Sequence, residues 1–281
     1  MISLPHALRS ASTTNVIRDS IQSMYVTGLS ENKSSAAFCS AALIAPMWLL
    51  TLAECVNASK WAAIASNSSL GDDGTERIEV DRWVLQPHYT NSSGYQQLAL
   101  LELKTASQYA PANISWNDNL PDNSTLWVRG FDTSTSDKSL VETTAKLWRY
   151  DECDKFYYDH QEYGRTLNES MLCLRDSQCQ QERGSAVMVN VNGTSRLIGL
   201  TYWQSGNTTI APAVFLPITS AKEFIQSTLQ ATTSANSSTA WIDRPKPTNT
   251  NRLNTSTCWP NPNWSLSYKA YTHWFRHESI G

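Results

Sequence analysis

The 281-residue sequence is short of charge, short of histidine and nearly without helical periodicity. Charged residues make up 17% and the formal net charge is −3, so nothing draws the chain to nucleic acid or an anionic membrane. No run is long and apolar enough to span a bilayer as a helix. The cysteines, Cys39, Cys55, Cys153, Cys173, Cys179 and Cys258, contain no Cys-x-x-Cys pair. That spacing disfavours a metal site, and neither metal nor cofactor is expected. Residues 1–12 lack the apolar centre of a signal peptide, so the amino terminus is expected to be a trimmed one.

Asparagine, serine and threonine stand in place of charge. Asn32, Asn57, Asn67, Asn91, Asn113, Asn123, Asn168, Asn192, Asn207, Asn236, Asn254 and Asn263 each open an Asn-x-Ser/Thr triplet. Chance placement gives roughly four such triplets at this composition, so the excess reads as N-glycan acceptors of a secreted protein. An even cysteine set then reads as disulfides formed in an oxidising compartment.

From residue 24 the pattern is short apolar runs broken by polar turns. Residues 39–55 hold two apolar stretches around Pro46, with a cysteine at each end. Residues 76–85 alternate with period two, and residues 97–103 form a further apolar strand. A second set of strands runs from about residue 125 to 213, with a two-residue hairpin at Asn192-Gly193. The periodicity predicts one helix, over 217–229, with Thr219 or Ser220 as its cap. These features predict an all-β body over residues 24–230, preceded by a segment at 1–23. Residues 231–257 read as a Ser/Thr/Asn-rich linker. Residues 258–281 read as an aromatic tail, either packed back on the body or exposed for a partner or sugar.

Several landmarks in order resemble chymotrypsin-like serine proteases. They are the Cys39–Cys55 loop, Pro87-His88-Tyr89, residues 95–101, Met171-Leu172-Cys173, residues 179–186 and Tyr202-Trp203-Gln204. The resemblance implies a trypsin-like double six-stranded β-barrel with a C-terminal helix, ending here in an irregular tail. It also implies disulfides Cys39–Cys55 and Cys153–Cys173. That family needs a serine hydroxyl, a histidine to take its proton and an aspartate to orient the histidine. At the matching positions this chain has Arg183, Glu54 and Gln97. The histidines His6, His88, His160, His273 and His277 all lie outside the segment that supplies the base. Gln181 replaces the glycine that contributes an oxyanion-binding N–H. Glu182 stands for the aspartate that receives the freed amino terminus, yet residues 8–20 hold no Ile-Val-Gly-Gly sequence, and a collapsed pocket is expected.

Two consequences remain open at this level. Glu54 and Arg183 either pair across the cleft or each point to water. Cys179 loses its usual partner, whose position is Asn207, so it is expected to bond Cys258; the alternative is an intermolecular bridge from Cys258. Tyr25-Val26-Thr27-Gly28-Leu29, residues 60–64 and residues 101–111 further resemble the glucanase inhibitor proteins of oomycete plant pathogens. That likeness implies an extracellular, non-enzymatic protein that binds a host endo-β-1,3-glucanase. The alternative is a structural or cell-surface glycoprotein using the protease fold as a scaffold in an assembly.

Overall fold

A computed structural model describes residues 25–66, 75–87, 97–117, 119–133, 139–160, 167–176, 181–204 and 211–235. Twelve strands form two closed antiparallel barrels of the same topology. The first contains β1 (Val26–Ser30), β2 (Cys39–Ala45), β3 (Trp48–Leu52), β4 (Trp61–Ile64), β5 (Glu76–Leu85) and β6 (Leu98–Leu103), in the order β1-β2-β3-β6-β5-β4. The second contains β7 (Thr125–Phe131), β8 (Leu140–Trp148), β9 (Leu172–Arg175), β10 (Ala186–Val191), β11 (Thr194–Trp203) and β12 (Ala213–Pro217). Its order, β7-β8-β9-β12-β11-β10, repeats that of the first. Closure satisfies the backbone groups that an open sheet would leave along its edges.

The period-two pattern of the sequence is realised directly. In β5, Ile78 is buried while Trp83 and Leu85 face out. In β7, Leu126 and Val128 enter a core cluster with Val187, Ile198 and Phe215 of the second barrel. The β10–β11 hairpin turns at Asn192 and Gly193, both at positive φ (52° and 80°), as a tight turn between right-twisted strands requires. The connection between barrels bonds to both: Ala112 N–H donates to Leu43 O, and Leu197 N–H donates to Asn113 O.

Two details depart from the sequence expectations. A helix α1 (Tyr150–Asp159) was not legible, because only Cys153 and Tyr157 of its ten residues are buried. The expected C-terminal helix starts as a 3-10 turn at Ile218–Ala221 and continues as α2 (Lys222–Ala235). Neither Thr219 nor Ser220 caps it: Ser220 Oγ donates back to Pro217 O, and the N-cap is Pro217. The helix also runs past residue 230, into the first residues assigned to the linker.

Candidate functional site

Glu54 lies in a 3-10 turn, Ala53–Cys55, at the end of β3. Two links fix that turn. Ala53 N–H donates to Gln97 O at 2.6 Å, just ahead of β6, and Cys55 forms a disulfide with Cys39 at the start of β2. Glu54 and Gln97 therefore occupy the same end of two adjacent strands of the first barrel.

Arg183 belongs to the second barrel, in the turn that leads into β10. Its carbonyl accepts the N–H of Ser40 in β2 at 2.7 Å. The next residue, Gly184, has φ +82°, and a Cβ there would stand 2.2 Å from Ser40 O. Only glycine fits both the dihedral and the gap. The turn is thus pressed against the first barrel, and from it Arg183 Nη1 donates to Glu54 Oε1 at 3.0 Å.

The two residues meet across the barrel junction as an ion pair. Their side chains are 54% and 33% exposed, so water screens the attraction. Such a pair contributes about 0–1 kcal/mol. Gln97 is buried beside them. None of the three is a hydroxyl or an imidazole, and a guanidinium stays protonated at any physiological pH. Among the described residues the one histidine, His160, ends α1, with its ring stacked on Phe156 at 4.3 Å. Its Nδ1 faces Phe156 O at 2.8 Å, so that nitrogen carries the proton. His6, His88, His273 and His277 lie outside the described residues.

The segment before Arg183 is anchored inward. Gln181 is buried, and its Nε2 donates to Val128 O at 2.9 Å, with Val141 O at 3.5 Å. Glu182 N–H donates to Phe131 O at 2.9 Å, and Ser185 Oγ donates to Glu182 O at 2.6 Å. Gln181 N–H donates to the side-chain Oε1 of Gln204 at 3.2 Å. The sequence held no signal for that last contact, since Gln204 follows Trp203 in β11 and is remote along the chain.

A second polar cluster joins the barrels. Arg129 in β7 lies directly across the β7–β8 ladder from Glu142, and Arg129 Nε donates to Glu142 Oε2. Arg129 Nη1 donates to Tyr25 OH at 2.6 Å, at the entry to the first barrel. All three side chains are at least mostly buried. Burial pushes the Tyr25 phenol up to about 12, with Arg129 opposing the shift. Burial also pushes the Glu142 carboxyl up, the guanidinium pulling it part of the way back. A lone arginine inside an otherwise apolar strand was the signal available for this cluster.

In the second barrel, Tyr157 of α1 packs edge-on against Trp203 of β11 at 5.3 Å. The Cys153–Cys173 disulfide holds α1 to β9. Cys179 and Cys258 lie outside the described residues. A hollow of about 350 Å³ is lined by Glu169, Ser170, Leu172, Pro217, Thr219 and Ser220 and shares no residue with the Glu54–Arg183 contact. Among the described residues there is no His/Cys/Asp/Glu group that could hold a metal ion.

Two closed six-stranded antiparallel barrels of the same topology, followed by a C-terminal helix, define a trypsin-like architecture. The Trypsin family model matches residues 17–225, well over half of the chain, and the protein belongs to that family. The chain is similar to urokinase-type plasminogen activator of Gallus gallus, at 24% identity over 74% of its length, and spans only 55% of that relative. It is also similar to glucanase inhibitor proteins 3 and 1 of Phytophthora infestans, at 22% and 25% identity, each covering 72% of this chain and 82% of the relative.

Proposed function

We propose that this is a trypsin-family protein without hydrolytic activity that acts by binding another protein. The observation that carries the reading is the Glu54–Arg183 ion pair, formed by the two residues that the resemblance assigns to the base and nucleophile. An acyl enzyme needs a group that can lose a proton and attack a carbonyl, and a guanidinium cannot do so. Gln97 at the third position cannot supply the negative charge that stabilises an imidazolium, and Glu54 offers no imidazole to stabilise.

The target we infer is a host endo-β-1,3-glucanase. The likeness to two glucanase inhibitor proteins, over most of their length, supports it. The protein is secreted in this reading, and the glycan acceptors are surface asparagines. Asn32, Asn57, Asn113, Asn123 and Asn192 are exposed, which supports their role as acceptors. Asn168 is buried, with its Oδ1 accepting Ser170 N–H at 2.9 Å, which argues against a glycan on it. Asn67, Asn91, Asn207, Asn236, Asn254 and Asn263 lie outside the described residues and keep the reading the sequence suggests. So do the segment at 1–23, the remainder of the linker, the tail at 258–281 and the Cys179–Cys258 bond.

The test is capture of purified secreted β-1,3-glucanases on the immobilised glycoprotein, followed by glucan hydrolysis with and without it. Stoichiometric loss of glucanase activity is expected. Absence of binding across a panel of plant glucanases overturns the inhibitor role. The wide spread of exposed sequons over both barrels favours a second reading, a scaffold glycoprotein. Recovery of the native protein only within a large extracellular assembly selects that one.

A further inference from the structure

Acyl-transfer sites hold the developing oxyanion with two backbone N–H groups, one on the nucleophile residue and one two positions before it. Counted from Arg183, the second is the N–H of Gln181. In this protein that N–H already has a partner, the side-chain Oε1 of Gln204 at 3.2 Å. The geometry points to Gln204 as a built-in occupant of the oxyanion hole. Its side-chain amide oxygen takes the place of a substrate acyl oxygen, making a second lock independent of the lost triad.

The physical case is one of matched chemistry and fixed orientation. A neutral sp² amide oxygen accepts from an N–H as an ester or peptide carbonyl does. Gln181 cannot easily turn away. Its side chain is bound to Val128 O inside the second barrel, and the following N–H, on Glu182, is committed to Phe131 O. These two bonds anchor the Gln181 side chain and the peptide that follows it, and the Gln204 amide is the partner of the N–H itself. Gln204 follows β11, whose Thr201 binds the same turn: Thr201 Oγ1 accepts Ser185 N–H at 3.0 Å, and its carbonyl accepts Gly184 N–H at 2.8 Å. An extended peptide laid along β11 with its carbonyl at the hole would have to displace the Gln204 amide. The cleft is thus shut to substrates in the protease manner, which leaves the outer surfaces for a partner.

This inference rests on the reading that the triad positions are inert, and one experiment separates the two. The probe is a biotinylated fluorophosphonate, from which an activated serine oxygen displaces fluoride at phosphorus. It is applied to the wild type, to Glu54→His/Gln97→Asp/Arg183→Ser, and to that variant with Gln204→Gly added. No labelling of the wild type is expected, and its labelling would overturn the non-enzymatic reading instead. Adding Gln204→Gly is expected to raise the labelling rate at least about 100-fold, the usual worth of an oxyanion donor. Equal rates in the two variants, or no labelling of either while both are folded, overturn the proposal. Gln97 is buried, so a folding failure of the restored triad is covered by amide exchange in the single Gln204→Ala variant. The Gln181 N–H is expected to exchange about tenfold faster or more. Unchanged protection refutes the lock.

Discussion

Replacing Arg129 by methionine tests the electrostatics of the barrel junction most directly. The change removes the guanidinium that bonds both Glu142 and Tyr25, while keeping a chain of similar volume. The Arg129 and Glu142 side chains are 6% and 13% exposed, so water cannot replace what is lost. A buried carboxylate without its counter-charge takes up a proton. Neutralising one at pH 7 against an ordinary value of 4.5 costs at most about 3 kcal/mol relative to wild type, at 1.36 kcal/mol per pH unit, because the wild-type carboxyl is already raised. The orphaned Tyr25 hydroxyl adds about 1 kcal/mol. The sum, at most about 4 kcal/mol, corresponds to a fall in Tm of up to roughly 10 °C for a domain of this size. The variant's folded Glu142 has a raised pKa, so its penalty is present above the unfolded value and shrinks as pH falls. The deficit against wild type is therefore expected to narrow as pH falls from 7. The triple variant Tyr25→Phe/Arg129→Met/Glu142→Leu, which replaces the whole network by apolar groups, is expected to return to within about 1 kcal/mol of wild type. Urea denaturation at several pH values measures all of this. A loss below 1 kcal/mol in the single variant, or a triple variant no better than the single, refutes the account.

Alkaline titration offers a second check. With the Tyr25 phenol pushed up to about 12 from 10.0, the folded state holds its proton where the unfolded state releases it. Stability is fully present below pH 10 and is expected to fall by about 2 kcal/mol as pH rises to 12; in Tyr25→Phe that share of the loss disappears. Glu54→Ala and Arg183→Ala should each shift stability by less than about 1 kcal/mol in chemical denaturation, since the pair is partly exposed; a loss above 2 kcal/mol would mean it is far better shielded. Gly184→Ala combines a positive φ with a Cβ at 2.2 Å from Ser40 O, and is expected to cost more than about 2 kcal/mol by the same measurement. An unaltered midpoint there would show that the two barrels can part cheaply.

The sequence by itself determined the β architecture, because strands buried on one face write their period-two pattern into consecutive residues. Residues 76–85 and the Asn192-Gly193 turn are direct examples, and the ordered landmarks from Cys39 to Trp203 supplied the likeness to serine proteases. The chemistry of one residue was equally plain: no fold can turn the Arg183 guanidinium into a nucleophile. The helix α1 was hidden because its anchoring comes from a disulfide and from Tyr157 packed on Trp203, neither of which leaves a long apolar stripe. Only the tertiary structure decided which distant groups meet. Glu54 and Arg183 are 129 residues apart, Tyr25 and Arg129 are 104 apart, and Gln181 and Gln204 are joined by a backbone-to-side-chain bond. Local pattern records burial and periodicity, whereas a contact across two barrels depends on closure, register and the exact approach that Gly184 permits. The chemical character of these side chains was therefore legible in the sequence, and their pairing only in the tertiary structure.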